Sequence, residues 1–297
     1  MTGVSPKKLR RFLGLLACCA VCLPVFGCGS FLFLHPELPE ADIPRAAADP
    51  DRLYRLNAAD DFSCMRIFLP EAAKTSPVPV AVIFPGGAYG VLDMDKEGGD
   101  YARFLNRHGI AGIVVKYPLG SIFGGFKRHP AMLDAAQRAI RLIRYHAPQL
   151  GIDPGRIGVM GSSAGGHLAG LTVICDNAPR PGAADPADRV SARPDFAVFC
   201  YPVVVLEGDL AHRTSRSNLL GDDPDPALMK RLSLDKNIPE NCPPVFLWTT
   251  LEDKTVDPEN SRRLAEALAR RGVPRRVILY PHGPHWMGML SASDAEK

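Results

Sequence analysis

Beyond residue 60 the hydrophobic positions fall into two alternating patterns. Short runs rich in β-branched residues predict strands at Met65–Leu69, Val78–Phe84, Ile110–Lys116, Arg156–Met160, Phe196–Tyr201, Val245–Thr249 and Arg276–Tyr280. Several are almost continuously apolar, as expected of parallel strands covered on both faces. Longer amphipathic patterns between them predict helices at Gly98–Arg107, Pro130–His146, His167–Cys175 and Pro258–Arg271. In the second of these, Leu133, Ala136, Ile140, Ile143 and Ala147 recur at spacings of three and four, with Arg138, Arg141 and Arg144 on other faces. The alternation predicts one α/β domain over residues 52–297, with a mostly parallel sheet flanked by helices on both faces.

Two stretches interrupt that rhythm. Pro118–His129 is a loop rich in Gly and Phe, and Val203–Pro244 is a long excursion between two core strands. Long connections at the carboxyl edge of such a sheet commonly shape a binding site.

The N-terminus has a different pattern. Lys7, Lys8, Arg10 and Arg11 precede a stretch, Phe12 to Leu34, without Asp, Glu, Lys or Arg. Residues 1–34 therefore read as an export leader or as a membrane anchor. Val25-Phe26-Gly27-Cys28 resembles the bacterial lipobox, which would make Cys28 a lipidated mature N-terminus. The rival is an uncleaved signal anchor. Either reading places the body outside the cytoplasm, membrane-tethered or secreted, with the Pro- and acid-rich residues 35–51 as a linker.

Composition narrows the options. Of 297 residues, 46% are hydrophobic and 23% charged, enough for a substantial core and unlike a disordered chain. The net charge of +3 is owed to the leader. A near-neutral body without a Lys/Arg stripe argues against nucleic-acid binding. Cys18, Cys19, Cys22 and Cys28 lie in the leader, while Cys64, Cys175, Cys200 and Cys242 lie far apart in the body. Their spacing predicts separate buried thiols, and no Cys or His spacing implies a metal or any other cofactor.

The chemistry begins at Gly161-Ser162-Ser163-Ala164-Gly165, a G-x-S-x-G sequence between a predicted strand and a helical pattern. A serine at that turn is lifted clear of the sheet toward a base, which makes Ser163 the candidate nucleophile. Attack on an acyl carbon needs donors for the oxyanion. The amide of Ala164 is one candidate, and the small-residue turn Pro85-Gly86-Gly87-Ala88-Tyr89-Gly90 offers Gly87 and Ala88 as the others. A base should follow late in the chain. His282 and His285 both qualify, and Gly283-Pro284 can set a turn that presents His285. For the acid, Asp253 lies in the loop after a strand, Asp257 suits a helix start before Pro258, and Glu252 is the outsider. His108, His129, His146, His167 and His212 read as structural or solvent-facing.

With these residues in view the chain resembles the α/β-hydrolase superfamily, and within it the acetyl-xylan esterase-like carbohydrate esterases of the BD-FAE type. The likeness rests on PGGAY (85–89), HPAMLDAAQRAIRLIR (129–144), RIGVMGSSAGGHLA (156–169), YPVV (201–204), NLLGDD (218–223), PPVFLWTTLEDKTV (243–256), NSRRLAEAL (260–268) and GPH (283–285). It implies Ser163 as nucleophile, Asp253 as acid, His285 as base, and Gly87, Ala88 and Ala164 as the oxyanion loop. Tyr89 and Trp286 are expected to meet substrate, with Trp286 narrowing an acyl pocket or stacking on a sugar. Only residues 286–297 follow His285, so the last helix of the family is expected to be short or missing.

The expected activity is hydrolysis of acetyl or other short acyl esters, on xylan-type carbohydrate substrates, through a Ser-His-Asp acyl-enzyme. The competing expectations are a peptidase-like serine hydrolase and a catalytically silent surface binding protein of the same fold. Expected partners are a small-molecule or oligosaccharide ester and, through the N-terminal segment, the membrane.

Overall fold

A computed structural model describes residues 53–57 and 60–289. The expected leader, the linker and the end of the chain after residue 289 lie outside the described residues. Among the described residues no helix is long and apolar enough to cross a membrane.

Eight strands form one sheet: β1 Leu53–Asn57, β2 Asp60–Phe68, β3 Val78–Phe84, β4 Ala111–Lys116, β5 Ile152–Ser162, β6 Ala197–Cys200, β7 Val245–Thr250 and β8 Arg275–Tyr280. Their order is β1-β2-β4-β3-β5-β6-β7-β8. The β1–β2 and β2–β4 pairs are antiparallel, and every later pairing is parallel. All seven predicted strands are present, displaced by a few residues at their ends. Strand β1 is an addition at one edge. The opposite edge strand β8 carries exposed Arg275 and Arg276, charges that discourage a further strand from pairing there.

Strand alternation divides the core in two. Val80, Val82 and Phe84 face one cluster, which also holds Ile140, Leu168 and Leu264. Ala81 and Ile83 face the other, with Tyr101, Ala102 and Val114. The helices that supply these contacts are α1 Asp100–Arg107 on the second face and α2 Ala131–Tyr145, α3 Ser163–Ile174 and α6 Glu259–Arg270 on the first. Each fully buried Val, Leu or Ile contributes on the order of 1.5–3 kcal/mol, so the sheet is clamped from both sides by its own alternation. Helix α3 is buried on every side from Ser163 to Val173, which explains its lack of a polar stripe.

The long excursion is not structureless. It carries two short helices, α4 Arg213–Leu220 and α5 Pro226–Leu232. The arginines of α2, on the faces away from its apolar stripe, reach the segment after α3. Arg141 is 2% exposed, because its guanidinium donates to Val190 O and Ala178 O. Arg138 pairs with Asp185 and Asp188, and Arg144 with Asp195. These side chains staple the segment after α3 onto α2, satisfying carbonyls that a loop alone leaves unpaired.

Because β3 to β8 run parallel, the loops after them emerge at the same edge. That edge gathers Pro85, Ser163, Tyr201, Asp253 and His285.

Candidate active site

Ser163 stands where β5 turns into α3, with a left-handed φ of 54°. For a non-glycine residue such a backbone costs on the order of 1–3 kcal/mol and persists only where the surroundings impose it. The two motif glycines show what imposes it. A Cβ on Gly161 would lie 2.1 Å from Gly165 O, and one on Gly165 would lie 2.0 Å from Phe84 O. Only glycine lets the turn fold back on itself and lets the start of α3 rest on the end of β3.

The serine hydroxyl meets an imidazole. Ser163 Oγ lies 2.9 Å from His285 Nε2, and His285 Nδ1 lies 2.6 Å from Asp253 Oδ2. A carboxylate can only accept, so Nδ1 carries the proton and Nε2 is left to accept from the serine hydroxyl. Asp253 is itself fixed, since its Oδ1 accepts the amides of Thr255 and Val256, both at 2.9 Å. The His285 and Asp253 side chains are 1% and 0% exposed, so little water competes for this chain of bonds.

The other candidates take different work. Glu252 accepts from Gly283 N and pairs with exposed His282, which ties down the loop bearing His285. Asp257 accepts from Glu259 N at the start of α6, a helix-start role. His167 is fully buried. Its Nε2 donates to Leu232 O, and its Nδ1 accepts from Tyr89 OH at 2.8 Å. Burial pushes its pKa down to about 4, so it is neutral near pH 7.

That bond corrects the expectation for Tyr89. Its side chain is 0% exposed and its hydroxyl is used by His167, so it braces the loop from inside and leaves no side-chain surface open to the site. Trp286, by contrast, is 63% exposed, and its ring centroid is 5.4 Å from that of His285.

The loop from Pro85 to Gly90 is held almost residue by residue. Pro85 O accepts from Tyr117 OH and Ala88 O from Asn218 Nδ2, while Gly90 O accepts from Ser121 Oγ. Tyr89 O accepts from Gly120 N, and Gly87 O from Gly90 N and Val91 N. Gly86 N donates to Glu97 Oε2 at 2.6 Å. The amides of Gly87 and Ala88 have no protein acceptor among the described residues. The amide of Ala164, in the first turn of α3, has no intrahelical acceptor either. Both interrupting stretches thus reach this loop, one through Gly120 and Ser121 and the other through Asn218 of α4.

Sequence reasoning passed over Glu97, Tyr201 and Asn218. Glu97 is 2% exposed, and its Oε1 accepts from Tyr201 OH at 2.7 Å. The Tyr201 ring meets the His285 ring edge-on, with centroids 4.8 Å apart. Tyr201 follows β6 at the sheet's carboxyl edge, a position that could have marked it. Nothing in the sequence around Glu97 separates it from a surface glutamate.

The fold is matched by known proteins. The BD-FAE family model matches residues 65–268. The chain is 32% identical over 213 residues to an endo-1,4-beta-xylanase B of Butyrivibrio fibrisolvens, covering 72% of this chain and 33% of that protein. It is 30% identical over 247 residues to an acetylxylan esterase of Xylanibacter ruminicola, covering 81% of this chain and 47% of that one. The chain therefore spans between a third and a half of the length of these curated relatives. The crystal structure of an acetyl ester-xyloside bifunctional hydrolase from Caldicellulosiruptor lactoaceticus superposes with a TM-score of 0.75 at 36% identity, covering 82% of this chain and 92% of that one. The chain belongs to the BD-FAE family of α/β-hydrolases.

Proposed function

We propose that the protein is a serine esterase that removes acetyl or other short acyl groups from carbohydrate esters of the xylan type. The observation that carries this reading is the unbroken contact from Asp253 through His285 to Ser163. The names of the relatives support the substrate class.

In the proposed reaction Ser163 Oγ attacks the ester carbonyl while His285 Nε2 takes the hydroxyl proton. The carbonyl oxygen becomes an oxyanion held by the amides of Gly87, Ala88 and Ala164. Collapse breaks the ester C–O bond, and His285 returns its proton to the departing alkoxide, giving the alcohol and an acyl-Ser163. Water then attacks the acyl carbon with His285 again as base, releasing the acid and restoring the serine. Asp253 keeps the imidazole in the required tautomer and stabilises its cationic form.

For the N-terminal segment we propose an export leader or anchor that places this body outside the cytoplasm. The supporting features are the basic flank at residues 7–11 and the uncharged stretch after it. Labelling of Cys28 by a lipid precursor in cells, absent in Cys28→Ala, would favour lipidation over a signal anchor.

The activity is tested with p-nitrophenyl esters of increasing chain length. Turnover of the acetate that is lost in Ser163→Ala supports the reading. Equal turnover by the variant, or hydrolysis of aminoacyl amides in place of esters, contradicts it.

A further inference from the structure

Glu97 is hydrogen-bonded to Gly86 and Tyr201 and not to Ser163, Asp253 or His285. It sits in a single π-helical turn, Asp95–Gly99, that leads into α1, and its side chain points into the protein. A buried carboxylate is costly unless donors meet both of its oxygens. Here Oε2 accepts from Gly86 N at 2.6 Å and Oε1 accepts from Tyr201 OH at 2.7 Å. The two donors belong to the two halves of the proposed chemistry. Gly86 opens the turn that presents the Gly87 and Ala88 amides. Tyr201 places the edge of its ring against His285, with centroids 4.8 Å apart.

Both donors sit in tight places. A Cβ on Gly86 would lie 2.5 Å from Glu97 Oε2, 2.9 Å from Ser162 O and 3.0 Å from Ser163 Cβ, so this glycine is pressed between the carboxylate and the nucleophile's turn. Tyr201 has a left-handed φ of 37°, a backbone that its contacts must hold in place. Its amide donates to Trp248 O and its ring packs edge-on against Trp248. Asp93, Tyr101, Tyr117, Cys200 and His285 are the other titratable groups within electrostatic reach of Glu97. Burial raises the Glu97 pKa, and the bonds from Tyr201 OH and Gly86 N and the nearby His285 act against that rise.

We infer that Glu97 is a positioning residue for ester hydrolysis: one buried carboxylate sets the oxyanion turn through Gly86 and the base through Tyr201, locking the two in register. This rests on the serine-esterase reading above. A fixed geometry of this kind raises turnover more than it tightens substrate binding, because the donors are needed where charge develops.

The test is steady-state hydrolysis of p-nitrophenyl acetate by Glu97→Gln, Tyr201→Phe and the double variant, with active sites counted by a fluorophosphonate. In Glu97→Gln the amide NH₂ opposes one of the two donors. The kcat per titrated site is expected to fall about 10- to 100-fold with KM within about threefold. Tyr201→Phe keeps the Gly86 bond and should lose about 3- to 10-fold. The double variant should fall by less than the product of the two losses. If Glu97→Gln does not fold, the same kcat-against-KM split in Tyr201→Phe decides the matter.

Unchanged kcat per titrated site in the variants that fold would overturn the inference and leave Glu97 a packing residue. Ser163→Ala, run alongside, separates the two levels. If it retains full turnover, the esterase mechanism itself fails. If it is inactive while Glu97→Gln keeps wild-type kcat, only the role of Glu97 fails.

Discussion

Asp253 and His285 are 32 positions apart in the chain, yet Oδ2 of one lies 2.6 Å from Nδ1 of the other, with both side chains buried. The acid is held in turn by two backbone amides, so the imidazole has one permitted tautomer. Asp253→Asn replaces an acceptor-only group with one able to donate, which allows the other tautomer and leaves Nε2 protonated. The expected loss in kcat is on the order of 10⁴-fold with little change in fold. Circular dichroism together with p-nitrophenyl acetate kinetics checks it, and a loss of less than tenfold would count against the tautomer argument.

Gly165→Ala tests the elbow. The added methyl would stand 2.0 Å from Phe84 O and 2.5 Å from Pro85 O, both backbone atoms that cannot swing aside. Moving them would separate α3 from β3 and spoil the oxyanion turn at once. The expected cost is about 3 kcal/mol or more, at the upper end for overpacking. A urea midpoint matching wild type would show that the close approach is not needed.

Trp286 offers the opposite case. Its side chain is mostly exposed and its φ of 67° is one that glycine adopts without strain, so Trp286→Gly should not lower the melting temperature. An aromatic face beside the base can stack on a sugar or narrow the acyl pocket. Its removal should change the preference for acetylated xylo-oligosaccharide over p-nitrophenyl acetate by about 3- to 10-fold in kcat/KM. An unchanged ratio would remove the residue from substrate recognition.

The buried His167 makes stability depend on pH. Its pKa is about 4 in the folded chain and near 6.5 when unfolded, so between these values the unfolded state binds more protons. Its contribution is complete above about pH 6.5 and falls as pH drops toward 4, by up to about 3 kcal/mol. His167→Gln removes that titration. The variant should be less stable than wild type at pH 7, and the gap should narrow by pH 4.5. Parallel melting-temperature curves for the two proteins would contradict this.

Much of this was legible in the sequence. Local patterns identify the strands because β-branched runs sheathed on both faces have few other uses. The serine could be read because Gly161 and Gly165 are dictated by contacts within a few residues of it or by the adjoining strand. His285 and Asp253 are each placed by a strand end and a short turn. What escaped depends on distant pairings. Glu97 gains its place from Gly86 and from Tyr201, 104 positions away, and Asn218 from Ala88, 130 positions away. Tyr89 is expected from the sequence to meet substrate, but its side chain turns inward to His167. Helix α4, with Ser, Thr, Asn and Arg at most positions, has no apolar period to detect. Helix α5 did carry a signal. Asp225 before Pro226 is a helix-start signature, and Asp225 Oδ1 accepts the amide of Ala227.

The relay itself is tested most directly by mass spectrometry of the protein after exposure to a fluorophosphonate. Reaction displaces fluoride and joins phosphorus to the nucleophilic oxygen. A single adduct on the peptide containing Ser163, absent in Ser163→Ala and slowed at least about 100-fold in His285→Ala, is the predicted result. An adduct elsewhere, or labelling of Ser163 at the same rate without the imidazole, would contradict it.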